Sequence, residues 1–178
     1  MGPLFLEARE ELMELLAGER ISWVHPSRYH FTMRFIGDTP QSDVRRISSA
    51  LEETIELPVK QHITLGDLGS FGSRGQPRVL WVGLRQQEFL NRLKEMTDAA
   101  LEKCGIRPEK QPFSPHLTLG RIRNRVDPAA FHSAVETMKD RFGQEVLLDR
   151  LVYFRSEPGK EGPVYTPISS LMFRDQEV

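Results

Sequence analysis

The chain has 178 residues, 39% of them hydrophobic and 28% charged, with a formal net charge of −1. That is the size and mix of one globular domain, or of two small lobes sharing a core, and no stretch is long and apolar enough to span a bilayer. A charge so near neutral argues against a protein that tracks long nucleic-acid backbones; if the chain acts on nucleic acid, it grips an end or a short stretch.

The opening Met1-Gly2-Pro3-Leu4-Phe5-Leu6 has no basic run leading into a long apolar one, and position 6 lacks the hydroxyl residue of a myristoylation signal, so no targeting segment is expected. Glu7 to Ala17 predicts a helix with Leu12, Leu15 and Leu16 on one side. Ile21 to Val24 and His30 to Phe35 read as strands, and Gly37-Asp38-Thr39-Pro40 is a break. Ser42 to Glu53 is helical, with Val44, Ile47 and Leu51 at helical spacing. Val59 to Leu68 is the next strand, residues 69–77 a Gly-rich loop, and Val79 to Leu84 a further strand. Gln87 to Lys103 is a helix ending near Gly105, where the lone Cys104 reads as a packing residue; a single cysteine excludes an internal disulfide and suits a reducing cytoplasm. His116 to Ile122 is a strand. Asp127-Pro128 caps a helix that runs to about Phe142. Val146 to Arg155 and Ile168 to Phe173 are the last strands, with a loop around Pro158-Gly159 between them.

From His30 the order is strand, turn, proline, helix, strand, Gly/Pro loop, strand, and from His116 it is the same. The two histidines lie 86 positions apart and half the chain is 89, the pattern of a duplicated unit. At both starts stands H-x-T-x: His30-Phe31-Thr32-Met33 and His116-Leu117-Thr118-Leu119. On a strand, residues two apart share a face, so each histidine would sit beside its threonine, with the apolar pair on the core side. Two such strands related by a pseudo-twofold axis would gather two imidazoles and two hydroxyls around one phosphorus. An unperturbed histidine titrates near pH ~6.5, so one can serve as base while the other serves as acid. The spacing does not say which is which.

His62-Ile63-Thr64-Leu65 fits the same pattern, but a Gly-rich loop follows it instead of a helix, and its strand corresponds to the one around Asp149. His62 is therefore assigned to structure. His25 and His132 read as surface or packing residues. No third ligand accompanies His30 and His116 at telling spacing, so neither metal nor cofactor is expected. The basic run Arg121, Arg123, Arg125 stands out, with Arg123 and Arg125 read as solvated surface. Phe71, Trp23 and Tyr153 are candidates to stack a terminal base.

At these residues the sequence resembles the 2H phosphoesterase superfamily, and within it the RNA 2′,3′-cyclic phosphodiesterases, historically called 2′-5′ RNA ligases. Trp23 to Gly37 is similar to the family's first block, Gly66 to Phe71 with Pro77 to Gly83 to its central block, Phe113 to Arg121 to its second motif, and Ser156 with Gly162 to Tyr165 to its C-terminal block. The resemblance implies a bilobal α+β fold, a single domain over residues 1–178 made of two pseudo-symmetric lobes, with two antiparallel sheets facing a central cleft and helices outside. It implies hydrolysis of a terminal RNA 2′,3′-cyclic phosphate to a 2′-phosphate, and reversible 2′-5′ joining. His30 would be the proton donor and His116 the base, Thr32 and Thr118 would bind the phosphate, and Arg121 would neutralise its charge. Strict alternation sets Arg121 on the face opposite Thr118 unless Gly120 hosts a bulge. The family opens with an arginine-led apolar strand; only Leu4-Phe5-Leu6 is left for it here, a short or frayed strand. The expected partner is an RNA end, tRNA fragments included, met by a cytoplasmic monomer with no membrane contact. Other readings are an enzyme on cyclic nucleotides or ADP-ribose cyclic phosphates, and a module that binds nucleotides or RNA ends without turnover. ATP-driven joining has no phosphate-cradling G-x-x-x-x-G-K-[ST] loop to support it.

Overall fold

The structure is a computed structural model that describes residues 1–73, 76–159 and 163–176. The described elements are helices α1 (Pro3–Leu15), α2 (Gln41–Thr54), α3 (Glu88–Lys103) and α4 (Pro128–Met138), and strands β1 (Ile21–Trp23), β2 (Gln61–Ser73), β3 (Gln76–Leu84), β4 (Leu117–Ile122), β5 (Glu145–Leu148), β6 (Arg150–Glu157) and β7 (Val164–Met172). They form an α+β fold with two sheets: five strands in the order β1-β4-β3-β2-β5, and the two-stranded β6-β7. Every pairing whose register is defined within these sheets is antiparallel. No helix is long and apolar enough to cross a membrane.

The chain divides into two compact units, each assembled from separate stretches. The first comprises Met1–Phe31, His62–Gln86 and Pro115–Val146. Its core lies on one face of the larger sheet, where Ile63, Leu65 and Leu68 of β2, Leu80, Val82 and Leu84 of β3, and Leu117, Leu119 and Ile122 of β4 are buried. Helix α1 contributes Phe5, Ala8 and Leu12, and Leu16 just beyond it, at three- and four-residue spacing. The Phe5 ring meets Tyr29 and Phe142 edge-on, at 5.6 and 5.4 Å. Helix α4 packs beside α1 through Phe131, Ala134 and Met138. As its sequence predicts, Asp127 caps it by accepting from the Ala129 amide, and Pro128 occupies the first turn.

The second unit comprises Thr32–Gln61, Gln87–Ser114 and Leu147–Val178. Helices α2 and α3 pack through Ile47, Ala50 and Leu51 against the face of Leu90, Leu93, Ala100 and Leu101. Cys104 is buried at the end of α3, and its thiol donates to the Arg46 carbonyl at 3.7 Å. Gly105 follows with φ +74°, and the Ile106 amide closes back on Leu101, a left-handed helix stop. The β6-β7 hairpin completes the unit, and Phe173, just past β7, meets Phe89 of α3 edge-on.

Four expectations need correction. Leu4-Phe5-Leu6 is no frayed strand but the first turn of α1, because Pro3 suits a helix start and Phe5 continues the buried stripe of Ala8 and Leu12. His30 to Phe35 is not a continuous strand; it makes one isolated antiparallel bridge, Phe31 to Leu117. Residues 69–77 do not form a loop of that length. Strand β2 runs to Ser73 and β3 starts at Gln76, while Arg74 and Gly75 lie outside the described residues. The glycines there serve packing, since a Cβ on Gly69 would sit 2.3 Å from the Trp81 ring and one on Gly72 1.9 Å from the Gln76 carbonyl. The predicted strand from Val146 to Arg155 is two strands, interrupted at Asp149, with β5 in the larger sheet and β6 in the smaller. Of the C-terminal block, Gly162 lies outside the described residues.

Candidate active site

Strand β4 carries the second H-x-T motif, and burial follows its alternation. Leu117 and Leu119 are 0% exposed, whereas His116, the residue before the strand, and Thr118 are half-buried on the other side. That side of the sheet is the one opposite the apolar core. Trp81 of β3 pairs with Thr118, and Gly69 of β2 with Trp81. The indole therefore lies over Gly69, the one residue type that leaves it room. Phe71 packs on Trp81 at 5.0 Å, and His116 meets the Phe71 ring edge-on at 4.8 Å and Trp81 at 6.2 Å. The imidazole of His116 thus rests against an aromatic pair.

The register of β4 against β3 settles the face of Arg121. Trp81 pairs with Thr118, but Leu80 pairs with Gly120, so β4 holds one extra residue there. This is the bulge that Gly120 permits; a Cβ on Gly120 would lie 2.6 Å from Ile21. Beyond the bulge Val79 pairs with Arg121. Val79 and Trp81 alternate on one face, so their partners Arg121 and Thr118 share that face as well. Arg121 is exposed.

The first motif is reached through a braced segment. Arg9 of α1 donates to the Tyr29 hydroxyl at 2.8 Å and to the Val24 carbonyl at 3.4 Å, and lies 6.0 Å from the Trp23 ring centre. Burial raises the pKa of Tyr29, and the Arg9 charge and hydrogen bond oppose that rise. A short 3₁₀ turn, Pro26–Arg28, is capped by His25, which accepts from the Ser27 amide. The turn delivers His30, exposed, with Nδ1 2.8 Å from the Arg28 carbonyl. A carbonyl only accepts, so in this contact Nδ1 is the donor. Phe31 then bridges Leu117 in antiparallel sense. Thr32 is half-buried and opens the second compact unit.

The other histidines stand apart. His62 is exposed at the start of β2, seven residues before Gly69, which is roughly 20 Å along a strand. His132 is exposed on α4 against its neighbour Phe131. Among the described residues no three His, Cys, Asp or Glu side chains converge as a metal site requires. Of the stacking candidates, Phe71 touches His116, Trp23 lies under Arg9, and Tyr153 is on β6 in the second unit. Trp81 is the residue of this face that sequence reasoning missed, although its place two residues from Val79 and between Leu80 and Val82 already set it on the non-core face.

Comparison with known proteins shows the family of the chain. The family model described as LigT like Phosphoesterase matches the chain twice, over residues 3–81 and 82–165. The RNA 2′,3′-cyclic phosphodiesterase of Bacillus subtilis is 35% identical over 146 residues, covering 79% of this chain and 78% of the relative. That of Archaeoglobus fulgidus is 32% identical over 155 residues, covering 86% and 85%. Among solved structures, TT0787 of Thermus thermophilus superposes with a TM-score of 0.72 at 26% identity, covering 97% of this chain and 94% of that one. E. coli LigT complexed with 3′-AMP has the same fold, with a TM-score of 0.68 at 23% identity over 94% and 91% of the two chains. With the family model matched over both halves, and relatives this similar along most of their length, the chain belongs to the LigT-like RNA 2′,3′-cyclic phosphodiesterase family.

Proposed function

We propose that the protein hydrolyses a terminal RNA 2′,3′-cyclic phosphate to a 2′-phosphate, with His30 and His116 as paired acid and base. His116 takes a proton from water as the water oxygen attacks phosphorus. The bond from phosphorus to the 3′-oxygen breaks, and His30 Nε2 gives its proton to that oxygen. The product carries a 3′-hydroxyl and a 2′-phosphate. The hydroxyls of Thr32 and Thr118 donate to the non-bridging oxygens, and Arg121 offsets the charge that builds there. A 5′-hydroxyl in place of water would form a 2′-5′ linkage by the same steps, reversibly. No cofactor takes part in this scheme.

The observation that supports this reading is the antiparallel bridge between Phe31 and Leu117, the residues that follow His30 and His116 in the two H-x-T motifs. The curated relatives named as RNA 2′,3′-cyclic phosphodiesterases support the substrate class. We read residues 1–178 as one functional domain of two pseudo-symmetric lobes, acting as a cytoplasmic monomer on RNA ends that include tRNA fragments.

The test is phosphorus NMR of an oligonucleotide ending in a 2′,3′-cyclic phosphate, with excess EDTA present. Wild type and His62→Ala should convert it to the 2′-phosphate. His30→Ala and His116→Ala should each lose about 10²- to 10⁴-fold in rate, the usual worth of a general acid or base. Loss of turnover in EDTA would point to a metal enzyme, and a dead His62→Ala would move the pairing to another histidine.

A further inference from the structure

The chain has near-neutral charge, yet two arginines share the face of the proposed phosphate site. Arg121 lies on that face because of the bulge at Gly120. The pairing of β1 with β4 then continues regularly: Trp23 with Gly120, Ser22 with Arg121 and Ile21 with Ile122. It extends past the strand, since the Arg123 amide donates to the Arg20 carbonyl at 2.9 Å. Alternation therefore returns Arg123 to the face of Arg121. The side chain agrees, because Arg123 Nε donates at 2.9 Å to the hydroxyl of Ser22, the cross-strand partner of Arg121.

Along β4 and the residues that flank it, the open face thus reads His116, Thr118, Arg121, Arg123. From Thr118 to Arg121, and again from Arg121 to Arg123, is about two strand residues, roughly 7 Å, a step comparable to that between successive phosphates of an extended strand. Both arginines are exposed, and among the described residues neither is ion-paired with a carboxylate. The Ser22 hydroxyl restrains the Arg123 fork, which lowers the entropy lost when an anion docks.

We propose that Arg123 binds the phosphate one nucleotide upstream of the reacting end, so that this site prefers an oligonucleotide to a cyclic mononucleotide. The proposal rests on the active-site reading above and extends it from the terminal phosphate to the next one. The terminal cyclic phosphate occupies Thr118 and Arg121, and the penultimate phosphate lies along β4 at Arg123. Arg125, beyond the paired segment, takes no part.

The test is calorimetric binding, which does not depend on turnover. The probes are adenosine 2′-monophosphate and a triadenylate ending in a 2′-phosphate, each titrated into wild type, Arg123→Gln, Arg123→Lys and Arg125→Gln at several salt concentrations. Arg123→Gln should weaken the trinucleotide about five- to tenfold and make the log–log salt dependence shallower by about 0.7, one single-strand phosphate contact. Its affinity for the mononucleotide should stay at the wild-type value, and Arg123→Lys should retain most of the salt slope. Equal weakening of both probes, an unchanged trinucleotide, or the same loss in Arg125→Gln would each overturn the proposal. If wild type binds as expected but hydrolyses no cyclic phosphate, the catalytic reading fails while the phosphate subsite stands.

Discussion

His116 depends on its neighbours for its position, and the least conspicuous of them is a residue with no side chain. The indole of Trp81 lies across Gly69, and Phe71 and His116 pack in turn on that indole. A methyl at position 69 would sit 2.3 Å from the ring, far inside contact distance, and the ring is also held by Phe71. Gly69→Ala should therefore cost about 1–3 kcal/mol, as overpacking does, and displace the rings against which His116 rests. Denaturant melts should show the loss of stability. The near-UV circular dichroism of the aromatic cluster should change as well, and phosphodiesterase turnover should fall by more than the lost folded fraction explains. An unchanged spectrum would mean that the indole has room to turn away and that Gly69 does not set the site. The candidacy of the two histidines and two threonines was legible in residue type and half-chain spacing, while their roles belong to the proposed mechanism. The Trp81 platform was not, because its cause is the space left at Gly69, and a glycine in sequence looks the same whether it serves a turn or makes room for a ring.

At the scale of elements, a partly buried ionic cluster joins the stretches that flank both motifs. Arg34, two residues after Thr32, has a side chain only 7% exposed, and Lys94 of α3 one only 9% exposed. Arg34 Nη1 lies 3.8 Å from Asp98 and 3.3 Å from Glu109, and Lys94 Nζ lies 2.5 Å from Asp98 and 3.6 Å from Glu109. Arg34 also donates to the Arg107 carbonyl, and Lys94 Nζ lies 5.9 Å from the ring centre of Phe113, three residues before His116. Two cations and two anions balance, so removing one is worse than removing a pair. Asp98→Ala should lose about 3 kcal/mol by leaving Arg34 and Lys94 to share Glu109, while Lys94→Met with Asp98→Leu should recover most of it. Thermal melts of the single and double variants check this; additive losses would mean that the cluster is not coupled. None of this was visible in the sequence, where Arg34 and Lys94 look like ordinary solvated charges. The helices were visible, since their apolar spacing and caps are local. The segment His30 to Phe35 reads as a full strand because its alternation is real, whereas strand pairing depends on partners distant in sequence, and only Phe31 finds one in Leu117.

At the scale of the whole molecule, the duplication is crossed. The two matches of the family model divide the chain near residue 82, so the first repeat holds α1 and α2 and the second holds α3 and α4. Yet α1 packs with α4 in one compact unit, and α2 packs with α3 in the other. The leading helix of each repeat is thus covered by the second helix of the other. The buried stripe of Phe5, Ala8, Leu12 and Leu16, and that of Leu90, Leu93, Ala100 and Leu101, would each lose its helical partner if the repeats were separated. Each fully buried leucine or phenylalanine is worth about 1.5–3 kcal/mol, so exposing either stripe is comparable to the 5–15 kcal/mol that hold a typical domain together. Fragments 1–81 and 82–178, produced alone, should show no cooperative thermal transition by circular dichroism, and mixing them should restore one. A fragment that melts cooperatively by itself, with the helix content of its share of the whole, would show that each repeat builds its own core. The crossing would then be an arrangement of convenience rather than a requirement of folding. A chain that folds only when both repeats are present also brings both H-x-T motifs into being together, which is what a mechanism needing one histidine from each repeat demands.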